Sequence, residues 1–155
     1  MIILSKLADY GVIVATNLAA FPDRQATAAA IAAETRLPRA TVAKLLKALA
    51  HAGLVTATRG ALGGYRLARA AKAISIAEVV AAIDGDIGLT QCSVHVPECS
   101  RSTYCPTRPH WAAINRAVGE ALSAISLDAM LTPAAFVPRM ASSAASQTDE
   151  PRFSA

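Results

Sequence analysis

Apolar positions recur every three or four residues along most of this chain, and the interruptions mark its elements. Leu4, Leu7, Gly11, Val14 and Leu18 keep helical spacing around Ser5, a residue suited to an N-cap. A first helix is therefore predicted from about 5 to 21, closed by Phe21-Pro22-Asp23 because Pro22 cannot continue the ladder. An alanine-rich second helix follows from about Thr27 to Thr35. Leu37-Pro38 makes a brief turn, and Pro38 suits the first turn of a third helix. In that helix Val42, Leu45, Leu46 and Leu49 share one face, Lys44, Lys47 and His51 the other, and Gly53 fits the C-terminal cap.

The period then changes to two. Residues 54–58 read as a strand, 59–64 as a glycine-rich turn and 65–67 as the returning strand. Ser75 and Glu78 have the spacing of a capping box, which predicts a fourth helix over about 76–84. Residues 86–106 show no clear period. A last long helix starts near Thr107 with the stripe Trp111, Ile114, Val118, Leu122 and Ile125. From 133 onward Ala, Ser and Pro dominate, and a disordered tail is expected. The fold class expected is mainly α: a winged helix-turn-helix with a β-hairpin wing, plus a long C-terminal dimerisation helix. The boundaries are 1–85 for the winged domain, 86–106 for a cysteine-containing loop, 107–132 for the dimerisation helix and 133–155 for the tail.

Composition narrows the function. With 155 residues, 54% hydrophobic and 17% charged, the chain is neither wholly disordered nor large. No apolar run approaches the ~18 residues needed to cross a bilayer, and no membrane partner is expected. The N-terminal MIILSKLADYG has no basic stretch ahead of its apolar residues and no peptidase site, so a cytoplasmic location is expected. Residues 1–75 carry ten Lys or Arg against three Asp or Glu, a balance of +7; residues 76–155 balance at −3. A basic front half fits a polyanion, and the third helix and wing gather its charge. Arg39, Thr41, Lys44 and Lys47 would meet the major groove of double-stranded DNA, and Arg59, Tyr65 and Arg66 the flanking backbone or minor groove. A winged helix used for protein contact is the competing reading. Nothing in the sequence pairs a nucleophile with a base or cradles a phosphate, so neither an enzyme nor a small-molecule substrate is expected.

Four segments carry a resemblance: LSKLADYG (4–11), LPRATVAKLLKALAHAGLV (37–55), TRGALGGYRLA (58–68) and SIAEVVAAIDG (75–85). They resemble the bacterial winged-helix iron–sulfur transcription regulators, the family of IscR and NsrR. The Arg59-Gly60-Ala61-Leu62-Gly63-Gly64-Tyr65 wing is the most specific of these motifs. CPTRPHWAAINRAV (105–118) looks most like the branch that regulates SUF cluster assembly. The resemblance implies a homodimer on an operator of rough twofold symmetry. It also implies an iron–sulfur cofactor (2Fe–2S favoured, 4Fe–4S the alternative) and repression of cluster-assembly genes when clusters are plentiful. Sensing of nitric oxide or oxidation is the alternative within the family.

Cys92, Cys99 and Cys105 are spaced C-x6-C-x5-C, soft ligands for a cluster or for zinc. The family spacing is five and five, so the first interval here is one residue longer. Zinc with His95 or His110, giving a protein-interaction module, is one competing reading. A metal-free thiol switch and buried structural cysteines are others. For a fourth cluster ligand the resemblance implies either a histidine after the third cysteine or an aspartate in the first helix of the partner. Alignment puts Arg108 at the histidine position, with His110 two residues on; Asp9 matches the aspartate. As a first-turn carboxylate Asp9 also suits the helix dipole without any metal.

Overall fold

The computed structural model describes residues 4–60, 62–86, 88–90 and 104–132. Cys92, Cys99, His95 and the expected tail at 133–155 lie outside the described residues. Helix α1 spans Lys6–Ala19, capped by the Ser5 hydroxyl, which accepts the Ala8 N–H at 3.0 Å. It ends two residues before Phe21, where the Phe21 N–H reaches back only three residues to Leu18. Helix α2, Ala28–Thr35, starts on the Thr27 hydroxyl and stops at Arg36, which holds φ 57° without being glycine. Helix α3, Arg39–His51, follows Pro38, which takes the N-cap position itself. Its end is a Schellman motif: Leu54 N–H bonds to the Leu49 carbonyl and Gly53 N–H to that of Ala50, with Gly53 at φ 72°.

The hairpin pairs β1 (Val55–Thr58) with β2 (Gly64–Leu67) in antiparallel register, Val55 opposite Leu67 and Thr58 opposite Gly64. Its open edge is met by Ala26, whose N–H and carbonyl exchange bonds with Tyr65 at 3.0 and 2.8 Å. This close approach explains Gly64, since a Cβ there would lie 2.9 Å from the Ala26 carbonyl oxygen. Helix α4, Ile76–Asp84, begins with the predicted capping box. Glu78 N–H bonds to Ser75 Oγ at 3.2 Å, and the Glu78 carboxylate accepts Ser75 N–H at 2.8 Å.

One core joins these elements. Val14, Ile31, Leu45, Leu46, Leu49, Ile74 and Val79 are all within 1% of complete burial, drawn from α1, α2, α3, α4 and the approach to α4. The observed architecture is the expected winged helix. Helix α5 spans Arg108–Ser123 and so starts as expected, but it stops short of 132. The reason is a competing set of backbone partners. Ile76 N–H bonds to the Ile125 carbonyl at 2.8 Å and Leu127 N–H to the Ile74 carbonyl at 2.9 Å, pairing Ser126 with Ser75. Leu127 is thereby placed, fully buried, in the same core, and a short 3-10 turn at Ala129–Leu131 follows. Residues 124–132 therefore close the winged domain rather than extend the helix.

Candidate functional site

The third helix carries its site residues because its two faces are sorted so sharply. Val42, Leu45, Leu46 and Leu49 are buried, which turns Arg39, Ala40, Lys44, Lys47 and His51 outward; Thr41 is half-buried. Lys44, Lys47 and His51 line one wall of an open groove of about 680 Å³, and Ala81 and Ala82 of α4 form the other. On the hairpin, Arg59 and Arg66 are exposed, whereas Tyr65 is half-buried and packs against the core. Five of the seven residues expected to contact DNA, Arg39, Lys44, Lys47, Arg59 and Arg66, are thus exposed on α3 and the wing, and Thr41 and Tyr65 are half-buried.

Several residues that position this surface escaped the sequence reading. Arg24 forks onto the Glu34 carboxylate with two 2.8 Å bonds, and Asn17 adds a third at 3.0 Å. These bonds hold the Glu34 carboxyl at about 2, well below its ordinary value, with Arg24 the largest cause and Asn17 the next. They fasten α2, which precedes α3, to the end of α1. The same guanidinium lies over the Phe21 ring, 4.3 Å from its centre. Gln25 donates to the Thr58 hydroxyl at 3.3 Å, bracing the outer end of β1. Arg69, just beyond β2, binds Glu78 at 2.7 Å and holds its carboxyl below its ordinary value; the Ser75 N–H adds to that shift. None of these pairs has a periodic signature, because each joins residues through a turn.

Of the three cysteines only Cys105 is among the described residues. It is half-exposed, three residues before α5, with its Sγ 3.2 Å from Thr107 Oγ1. Arg108 is the first residue of α5, and His110 is exposed in its first turn. Asp9 is exposed in the first turn of α1. Among the described residues no three His, Cys, Asp or Glu side chains converge as a metal site. The donor chemistry still fits a cluster: three thiols within fourteen residues, one of them accessible at the entrance to α5. Among the described residues no helix is long and apolar enough to cross a membrane.

The stripe on α5 divides. Leu122, with Ile125 beyond the helix, packs against the core, while Trp111 and Ile114 remain 37% and 43% exposed. No residue of α5 is buried.

Residues 4–133 match the family described as Rrf2, iron-dependent transcriptional regulator. The chain is 34% identical over 98 residues to the protein rrf2 of Nitratidesulfovibrio vulgaris, covering 63% of this chain and 65% of that one. It is 35% identical over 89 residues to the HTH-type transcriptional regulator IscR of Vibrio parahaemolyticus, covering 57% of this chain and 52% of that one. The matched part of the chain thus spans between half and two thirds of the length of these relatives. Among solved structures it is similar to CymR, the global cysteine regulator of B. subtilis, with a TM-score of 0.67 and 26% identity, covering 84% of this chain and 97% of that one.

Proposed function

The chain belongs to the Rrf2 family of iron-dependent transcriptional regulators, and from that membership we propose that it is a homodimeric, cytoplasmic repressor that binds double-stranded DNA and senses iron–sulfur status. The observation that carries the DNA-binding reading is the row of exposed cations on α3 and the hairpin: Arg39, Lys44, Lys47, Arg59 and Arg66. In this reading the N-terminal turn of α3 enters the major groove. Arg39 and Thr41 face base edges there, and Lys44, Lys47, Arg59 and Arg66 meet phosphates. Tyr65 fixes the wing that presents Arg59 and Arg66. Cluster-assembly genes of the SUF type are the targets we propose, on the resemblance of residues 105–118.

Cys92, Cys99 and Cys105 would hold the cluster, with Asp9 or His110 as fourth ligand. When bound, an iron–sulfur cluster supplies a site whose occupancy follows iron, oxygen and nitric oxide. The chain's own residues supply the coupling. Cys105 stands at the start of α5, and the segment after α5 is bonded at Ile125 and Leu127 to residues 74–76. Glu78 then links the start of α4 to Arg69 at the base of the wing. A change of angle at α5 is thus carried to a DNA-contacting element through backbone and ionic bonds. Trp111 and Ile114, left open on α5, are the surface we assign to the second copy.

The test of DNA binding is its salt dependence. On a duplex selected by the wild-type protein from a randomised pool, Lys44→Ala and Arg59→Ala should each lower the salt slope by about two units per dimer, roughly 0.9 per phosphate contact. Slopes unchanged in both variants contradict the proposed face.

A further inference from the structure

The tip of the wing holds an apolar side chain with nothing around it. Leu62 is 93% exposed, the most exposed of the large hydrophobic residues among those described. Lone surface leucines are common and need no explanation by themselves. The setting of this one is different. Gly60 and Gly63 lie near it and Gly64 follows, so Arg59 and Leu62 are the only long side chains in the described part of the tip.

The described glycines beside Leu62 are constrained in their backbone. Gly63 N–H closes onto the Gly60 carbonyl at 2.9 Å. Gly60 holds φ 113°, a conformation that side chains disfavour. A Cβ on Gly63 would lie 2.3 Å from the Thr58 carbonyl oxygen, so the chain can pass there only as glycine. Below the turn, Ala26 pairs with Tyr65 and Gln25 donates to Thr58. The hairpin therefore carries an exposed apolar side chain near a guanidinium, with Arg66 lower on the same hairpin.

Resting on the DNA-binding reading above, we propose that Leu62 is a wedge: it enters the minor groove beside each recognition helix and inserts between two stacked base pairs. Arg59 holds the adjacent phosphate or groove wall, and the glycines let the backbone come close. Apolar wedges of this size unstack a step and kink the duplex toward the major groove, by about 20–90° in known cases. The cost of unstacking is lowest at flexible pyrimidine–purine steps, so Leu62 adds a preference for TA or CA/TG at the flank of each half-site without any hydrogen bond to a base. The return is burial of a leucine that is otherwise fully hydrated.

The experiment uses the full chain and the same selected duplex, with 2-aminopurine replacing adenine at each position in turn. Wild-type protein should raise the fluorescence severalfold at one flanking position per half-site, and Leu62→Met should keep that rise. Leu62→Ala should abolish it and weaken binding about tenfold, the scale of losing a leucine's buried methyl groups. Lys44→Ala, brought to saturation, should keep the rise, since it alters affinity and not the wedge. The wedge is overturned if wild type gives no rise at any position, or if Leu62→Ala keeps it. It is equally overturned if Leu62→Ala changes only the oligomeric mass, which would make the tip a protein contact. A salt slope unchanged in both Lys44→Ala and Arg59→Ala would sink the DNA-binding reading; salt-sensitive binding with flat fluorescence would sink the wedge alone.

Discussion

Helices α1 and α5 are nearly equal in length, at 14 and 16 residues, and both carry an apolar stripe. Six residues of α1 are buried and none of α5. The difference lies in what covers each stripe. Helix α1 packs on α3 and α4 with Ala8, Gly11, Val14 and Leu18 buried, and Gly11 lets Ile83 come so close that a Cβ would sit 2.9 Å from it. In α5 only the far end reaches the core, through Leu122. Periodicity announces that a stripe will be buried; it does not say by which chain. The core of the winged head is filled within one copy, whereas Trp111 and Ile114 of α5 stay exposed.

Substitutions that separate intrachain from interchain burial test that division, beginning with the largest expected effects. Leu18→Ala and Leu127→Ala should each cost about 2–5 kcal/mol in urea unfolding, because both side chains fill the winged core. A loss below about 1 kcal/mol at Leu127 would mean that the segment after α5 is not part of that core. Ile114→Asp should leave the unfolding of the head intact yet weaken self-association by more than about a hundredfold, the scale of burying an unpaired charge. Light scattering at micromolar concentration reads this directly, and an intact dimer would place the α5 stripe against its own chain.

Ser75→Ala should cost about 1 kcal/mol by removing the N-cap of α4, and should also loosen the link from Ser75 through Glu78 to Arg69. Hydrogen exchange at the base of the wing should rise in that variant. The smallest effect concerns acid. Glu34 titrates at about 2 when folded against an ordinary 4.5, so its contribution is fully present above 4.5 and is lost as the pH falls from there toward 2. Glu34→Gln should flatten the acid limb of the stability curve in that window by a modest amount, since the pair with Arg24 is partly solvated. An acid limb identical to wild type would show that Arg24 and Asn17 do not hold the carboxylate in solution.

The legible part of this molecule was the part built by local rules. The Ser5 cap, the Ser75–Glu78 box, the stop at Gly53 and the glycine turn of the wing all express short-range backbone chemistry, and each stands where the spacing put it. The end of α5 was not legible, because Ile125 and Leu127 leave helical bonding for partners about fifty residues earlier. Arg36 in the left-handed region carried no glycine signal. The braces Arg24–Glu34 and Arg69–Glu78 join residues across turns, where sequence spacing says little about distance. For the site, the outward cations of α3 followed from its apolar face. The backbone bridge from Tyr65 to Ala26 carried no such signal, since it joins residues far apart in the chain.

The central claim is that a cluster held by the cysteines adjusts the grip of the head on DNA. The direct measurement compares one duplex bound by anaerobically purified, iron-loaded protein and by the same preparation after chelation. The account predicts a brown protein with iron and sulfide in matching amounts, and an affinity that changes about 5–150-fold when the iron is removed, the usual range of coupling between two sites. A colourless protein, or an affinity that stays within about twofold of its starting value, contradicts it.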